Sequence, residues 1–258
     1  MKIEIDLTKS LEENASIYYS KAKKSKKKLK GAKETVMKMR EKLLHQANKK
    51  EKKKIKIDEK AKKKWYEKFR WFKTTQDLLV IGGKDATTNE EIIKKYTEKN
   101  DIVFHTSLAG SPFVVIKKGK QEINEESIKQ ARIFTATYSK AWENNLKEVE
   151  VMKVSPDQVT KEAQAGEYLQ KGSFMIYGKR SLKRAPLQLS IGVTNIDGTN
   201  KLMGGPHDAI QKHCKKITKI IQGNQRKSEI SNKLKKKYKL KKNDEILKIL
   251  PNGGSTIL

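Results

Sequence analysis

Positive charge is concentrated at the two ends of this chain, and that limits where a core can form. Residues 1–64 carry 23 basic and 9 acidic side chains, net +14; residues 65–200 carry 21 and 17, net +4; residues 201–258 carry 15 and 4, net +11. Runs such as KKSKKK (23–28), KKEKKK (49–54) and KLKKKYKLKK (233–242) cannot be buried without partners. Only the middle has the balance of a globular domain. The chain therefore reads as a basic region at 1–64, a core domain at 65–195 and a basic region at 196–258. A net charge of +29 repels itself unless a polyanion is near, and nucleic acid is the polyanion that rewards cations by releasing condensed counterions. A thermophile surface is the competing reading, but there Lys and Glu rise together, and here Lys far exceeds Glu.

Other classes find no support. No apolar run reaches the roughly 18–20 residues of a membrane span, and MKIEIDLTKS has no signal-peptide h-region. One cysteine, Cys214, makes no internal disulfide, so a reducing cytoplasm is the default. His45, His105, His207 and His213 form no metal-ligand spacing and no H-x-E motif, and G-x-S-x-G is absent. A binding protein without cofactor or metal is expected, not an enzyme.

Residues 8–64 contain no proline and one glycine, Gly31. Thr8 or Ser10 is placed to cap a helix, with Glu12 and Glu13 in its first turn. Two narrow apolar sets, Leu11, Ala15, Tyr18, Tyr19, Ala22 and Val36, Met39, Leu43, have the spacing of a coiled-coil seam. We expect an antiparallel helical hairpin turning near Gln46–Glu51; a disordered basic tail is the alternative. The middle is read as strands at 70–74, 78–81, 102–105, 113–116, 149–154, 173–177 and 187–193, with helices at 87–96 and 125–138. Most strands are joined by turns rather than helices, which predicts an α+β domain with a mixed or antiparallel sheet. Helices are expected at 208–221, 228–238 and 243–249, and the terminal GGSTIL is expected to be loose.

Two segments interleave cations with aromatics, as unpaired RNA bases and their backbone require. KFRWFK offers Arg70 and Lys73; KGSFMIYGKR ends in Lys179 and Arg180. Ordinary alternation explains them too, more readily for Trp71 and Phe174 than for Lys179 and Arg180. In IGGKDATTNE, Gly82 and Gly83 stand between a strand and a helix. The turn either holds a phosphate on backbone N–H groups or needs glycine for conformation alone.

KWYEKFRWFKTTQDLLVIGGKDATTNEEIIKKY, NDIVFHTSLAGSPFVVIK, ATYSKAWENNL and GEYLQKGSFMIYGKR, in that order, resemble the NFACT-R domain of the NFACT family, which includes the eukaryotic NEMF and bacterial RqcH proteins. IEIDLTKSLEENASIYYSKAKKSKKKLKGA resembles the coiled-coil region before it, and GGPHDAI and NDEILKILPNGG resemble the tail of archaeal members. The resemblance implies an RNA-binding component of ribosome-associated quality control, meeting large-subunit rRNA and tRNA on stalled complexes. The family's NFACT-N region has no counterpart in these residues, which implies either half of a split gene, with a separate NFACT-N chain as the expected partner, or a C-terminal fragment. The segment between Ala32 and Trp65 is short for the family's hairpin. A stand-alone tRNA-binding module tied to RNA modification is the alternative. On positions matching the motifs, the resemblance points to Gly82, Gly83, Lys84, Asp85, Asn89, Asp101, His105, Lys171, Ser173, Lys179 and Arg180. Lys84, Lys179 and Arg180 would meet phosphates, Gly82 and Gly83 would admit the backbone, and Asn89 and Ser173 would bond ribose or phosphate. His105 would either contact a nucleotide or be a structural histidine bonded to Asp101 or Asp85. Lys235, Lys236 and Lys237 would add sequence-independent affinity.

Overall fold

The computed structural model describes residues 4–54, 57, 63–162 and 169–258, with backbone only from 43 to 54. It divides into two compact units, Met1–Ile55 and Lys56–Leu258.

The first unit is one helix, α1 (Leu11–Lys54). Ser10 caps it: Glu13 N–H donates to Ser10 Oγ (3.1 Å) while Ser10 N–H donates to Glu13 Oε2 (2.9 Å), a reciprocal capping box. Asn14 holds the preceding turn, accepting from Asp6 N–H (3.0 Å) and donating to the Asp6 carbonyl (2.9 Å). Leu11, Tyr19, Leu29, Val36 and Met39 are exposed along it. The turn expected near Gln46–Glu51 is corrected here, because residues 46–51 are helical. Gln, Ala, Lys and Glu dominate that stretch and favour helix, and it has no glycine or proline to turn the chain. Most of the expected second arm lies outside the described residues.

The second unit begins with a helical turn at Trp65–Lys68, followed by β1 (Arg70–Lys73), β2 (Leu79–Gly82) and α2 (Ala86–Glu91), which widens into a π-turn at Ile92–Tyr96. Next come β3 (Ile102–Thr106), β4 (Val114–Ile116), α3 (Glu125–Thr137), α4 (Lys140–Glu143) and β5 (Glu148–Val154). The small strands β6 (Val159–Thr160) and β7 (Met175–Ile176) pair with each other, and β8 (Ser181–Pro186) follows. The chain ends with β9 (Leu189–Ile196), β10 (Thr199–Gly205), α5 (His207–His213), β11 (Cys214–Gln225), α6 (Lys227–Tyr238), α7 (Asp244–Ile249) and β12 (Ser255–Ile257).

Six strands form an antiparallel sheet in the order β1-β2-β4-β3-β5-β8, and four form a second in the order β10-β9-β11-β12. The α+β reading holds. α3 starts at the Asn124 cap, whose Oδ1 accepts from Ser127 N–H (2.8 Å), and lays Ile128, Ala131 and Phe134 against the larger sheet. Phe134 meets Phe72 of β1 at 4.7 Å between ring centres. These side chains, with Val80, Ile81, Phe104 and Val151, are fully or almost fully buried; each of the larger ones contributes roughly 1.5–3 kcal/mol of apolar burial, and Ala131 less.

The C-terminal region departs from a helical bundle. The helix expected over 208–221 stops at His213 and continues as β11. Residues 217–221 read Ile-Thr-Lys-Ile-Ile, rich in β-branched side chains that prefer a pleated surface, and a bulge between Lys215 and Thr218 blurs their period-two pattern. The terminal segment is not loose: β12 pairs with β11, Ile257 opposite Ile220. The position expected to separate the last two regions, 195/196, falls inside the β9–β10 hairpin, which turns at Asp197 (φ 48°) and Gly198 (φ 78°). β8 is an additional strand that the sequence reading left out.

Candidate nucleic-acid interface

The β2–α2 connection is the wall around which a cleft forms. Gly82 closes β2 and is buried: a Cβ there would sit 3.0 Å from the Phe134 ring. Gly83 is needed for close approach, since its Cβ would lie 1.8 Å from Asn89 Oδ1. That oxygen accepts from Phe113 N–H (3.1 Å), fixing the start of β4. Asp85 caps α2 by accepting from Thr88 N–H (2.8 Å). The Thr88 hydroxyl accepts from Lys84 N–H (2.8 Å) and Asp85 N–H (3.0 Å), and Gly83 N–H donates to the Phe113 carbonyl (3.0 Å). The turn thus spends its amides on protein partners, and the glycines serve packing rather than a phosphate cradle. Asn89 is likewise committed to β4. Substituting Gly83 with alanine is expected to displace Asn89 and cost about 2 kcal/mol. That is a fall of about 5 °C in Tm, read by thermal denaturation.

The cleft has a volume of about 460 Å³. Arg70, Gly83, Lys84, Asp85, Asn89 and His105 line it from the sheet and α2, and Lys171, Ser173 and Phe174 from the loop before β7. Two sequence motifs about 90 residues apart therefore meet at one place. Gly172, at φ 79°, locks that loop: a Cβ there would lie 2.5 Å from Ala86 Cα, and its N–H donates to Glu90 Oε2 (3.2 Å).

Cations dominate the site. Arg70 is only 8% exposed; its Nη1 donates to the Gly83 carbonyl (3.0 Å), and its guanidinium lies 4.5 Å from the centre of the Tyr138 ring. Burial lowers the pKa of Lys84, and repulsion from Lys248 lowers it further. Lys227 is pushed down to about 8 by burial and then by Arg70. Among the described residues, no carboxylate lies within 4.0 Å of Arg70, Lys84, Lys171, Lys227 or Lys248. Lysines elsewhere in the unit do find partners, such as Lys117 with Glu98 (2.9 Å) and Lys201 with Glu67. Burial alone would raise the Asp85 carboxyl, but its bonds to Thr88 outweigh this and hold its pKa low. Asp85 therefore stays an anion in a lining that also holds Arg70, Lys84 and Lys171, while Lys248 acts on Lys84 and Lys227 on Arg70 from beyond it.

His105 stacks on Phe113 with ring centres 4.3 Å apart, and Phe113 meets the edge of Phe174 at 5.3 Å. Burial lowers His105 to about 4, against a smaller opposing effect of the Ser111 and Thr106 backbone, so its imidazole is neutral near pH 7. Neither Asp101 nor Asp85 bonds it; Asp101 instead pairs with Lys117 and accepts from Lys118 N–H (3.0 Å).

The remaining candidates lie elsewhere. Lys73, at the end of β1, is half-buried and outside the cleft. Lys179 and Arg180 border a second groove with Lys153 and Gln158. Lys235 and Lys236 line a groove with Asn232 and Lys239, while Lys237 is exposed on the same helix, α6. Sequence reasoning missed Tyr138, Lys227 and Lys248. The two lysines have nothing in the chain to set them apart from dozens of others.

An α+β unit with a basic, partly aromatic cleft is the class these observations define. Residues 68–178 match the model of the NFACT protein RNA binding domain. The chain is 41% identical over 199 residues to the archaeal Rqc2 homolog aRqcH of Methanocaldococcus jannaschii, a match covering 76% of this chain and 30% of that protein. It is 36% identical over 184 residues to the ribosome quality control complex subunit NEMF homolog of Drosophila melanogaster (69% and 18% covered). It is 37% identical over 173 residues to the human subunit NEMF (65% and 16% covered). The matches span less than a third of each of these relatives. The chain carries an NFACT-R domain and is a member of the NFACT-R-containing proteins.

Proposed function

We propose that this chain is an RNA-binding component of ribosome-associated quality control, binding large-subunit rRNA or tRNA on stalled complexes in the cytoplasm. One observation carries the reading: cations with no carboxylate partner among the described residues gather at an aromatic-lined cleft inside the segment that matches an RNA-binding domain. Such a set costs folding energy unless an anion completes it. The names of its relatives supply the quality-control context. In this reading the chain binds rather than catalyses, and a separate NFACT-N chain is among its partners. No helix among the described residues is long and apolar enough to cross a membrane.

A tagged pull-down at low and moderate salt tests it, with RNA sequencing and protein mass spectrometry. Large-subunit rRNA with an NFACT-N-bearing chain is the expected recovery; tRNA without ribosomal proteins would favour a stand-alone module instead. Deleting residues 1–54 is expected to remove ribosomal recovery while leaving affinity for a short RNA within about threefold, since the cleft lies wholly in the second unit. Lys227 adds a pH signature. It is charged below about 8 and neutral above, so RNA affinity should fall as pH rises from 7 to 9. Lys227→Met should flatten that profile in a fluorescence anisotropy titration.

A further inference from the structure

The cleft has two chemically different ends. At one are Lys84 and the buried Arg70, neither with an ion-pair partner among the described residues, and the Arg70 guanidinium is held by the Gly83 carbonyl and the Tyr138 ring. At the other, Phe113 is buried while His105 and Phe174 are half-buried at the lining, and Lys161 lies 4.9 Å from the Phe174 ring centre. A phosphate alone would need only the first end, and an apolar ligand only the second. The volume of about 460 Å³ falls within the roughly 300–1,000 Å³ of small-molecule sites. A duplex is instead met across its outer surface by shape and offers no single base to a pocket. Gly172 and Glu90 hold the Phe174 loop against α2, so the two ends keep a fixed separation before any ligand arrives.

We propose that the cleft binds one unpaired nucleotide of an RNA strand, its phosphate at Lys84 and Arg70 and its base against His105 and Phe174. This rests on the RNA-binding reading above and adds to it a place where a single base is taken out of the stack. Ser173, exposed at the lining next to Phe174 in sequence, is the hydroxyl offered to the ribose.

The test uses the full chain and two probes of equal charge: the uridine trinucleotide pUpUpU and its fully abasic counterpart. The abasic strand is expected to bind about tenfold more weakly, the usual effect of losing a stacked base. Phe174→Leu, which keeps most of the volume, should lose a similar factor on pUpUpU and almost nothing on the abasic strand. Lys84→Ala should weaken both strands alike. Equal affinity of the wild-type chain for the two strands, or equal losses on both in Phe174→Leu, would overturn the nucleotide site while leaving RNA binding intact. Failure of the wild-type chain to bind these strands, a longer single strand, a duplex and tRNA alike would overturn the RNA reading itself.

Discussion

Trp142→Ala is expected to lower the stability of the second unit by about 4 kcal/mol, the middle of the range for a buried aromatic side chain reduced to alanine. Trp142 is 1% exposed in α4, and its Nε1–H donates to the Gly254 carbonyl (3.1 Å) just before β12. Gln222 of β11 donates from its side-chain amide to the carbonyls of Ala141, Trp142 and Leu146 (3.3, 3.3 and 3.0 Å). The indole therefore joins the connection after α3 to the smaller sheet. Removing it leaves a cavity and frees the terminal strand as well. Tm should fall by roughly 10 °C, and hydrogen exchange at Ile257 should quicken. The control is Trp65→Ala. Trp65 is 44% exposed and stacks on Tyr96 at 4.7 Å, so its loss should cost only about 1 kcal/mol. A Trp142 variant no worse than the Trp65 variant would mean that the terminal strand is not anchored through the indole.

That anchor shows what the sequence hides. Strands β1 to β5 were legible because each is a short β-branched or aromatic run bounded by turn residues, and Asn124 with Glu125 and Glu126 announces α3. β11 was not, because its lysines fall at positions equally compatible with an amphipathic helix, and only pairing with β9 and β12 decides between them. The Asp197-Gly198 turn carried a strong hairpin signal, and the boundary expected at 195/196 overlooked it. α1 misled in the opposite way. Its two apolar sets suggested two arms, yet nothing in residues 46–51 interrupts a helix. At the site, Lys84, Asp85, His105, Lys171 and Ser173 were legible as motif residues, and the strand order brings them to one cleft. Their chemistry was less legible. Whether Asn89 or the Gly83 amide is free for a ligand depends on hydrogen bonds to β4 that no local pattern encodes. The nearness of Lys227 and Lys248 follows from how α6 and α7 pack, in a tail where lysine is everywhere.

Because Lys248 repels Lys84, removing that pair of charges separates binding from folding. The double variant Lys84→Met, Lys248→Met is expected to lose about 100-fold in RNA affinity near 50 mM salt, taking each charged phosphate contact at roughly 1.5 kcal/mol. The dependence of log affinity on log salt should become shallower by about 1.4, the counterion release of two contacts on a single strand. The fold should not suffer. Burial depresses Lys84 and the charge of Lys248 depresses it further, so the folded protein holds that ammonium at a cost. Neutral side chains of similar length remove the cost and leave Tm unchanged or higher. A merely structural pair would give the reverse pattern, with a lower Tm and an unchanged salt slope. Lys73→Met is the control, since that lysine neither lines the cleft nor acts on Lys84, and its loss should change affinity less than threefold. If Lys73→Met and the double variant lose affinity equally, the RNA is held by diffuse charge over the whole surface and the cleft has no privileged part in binding.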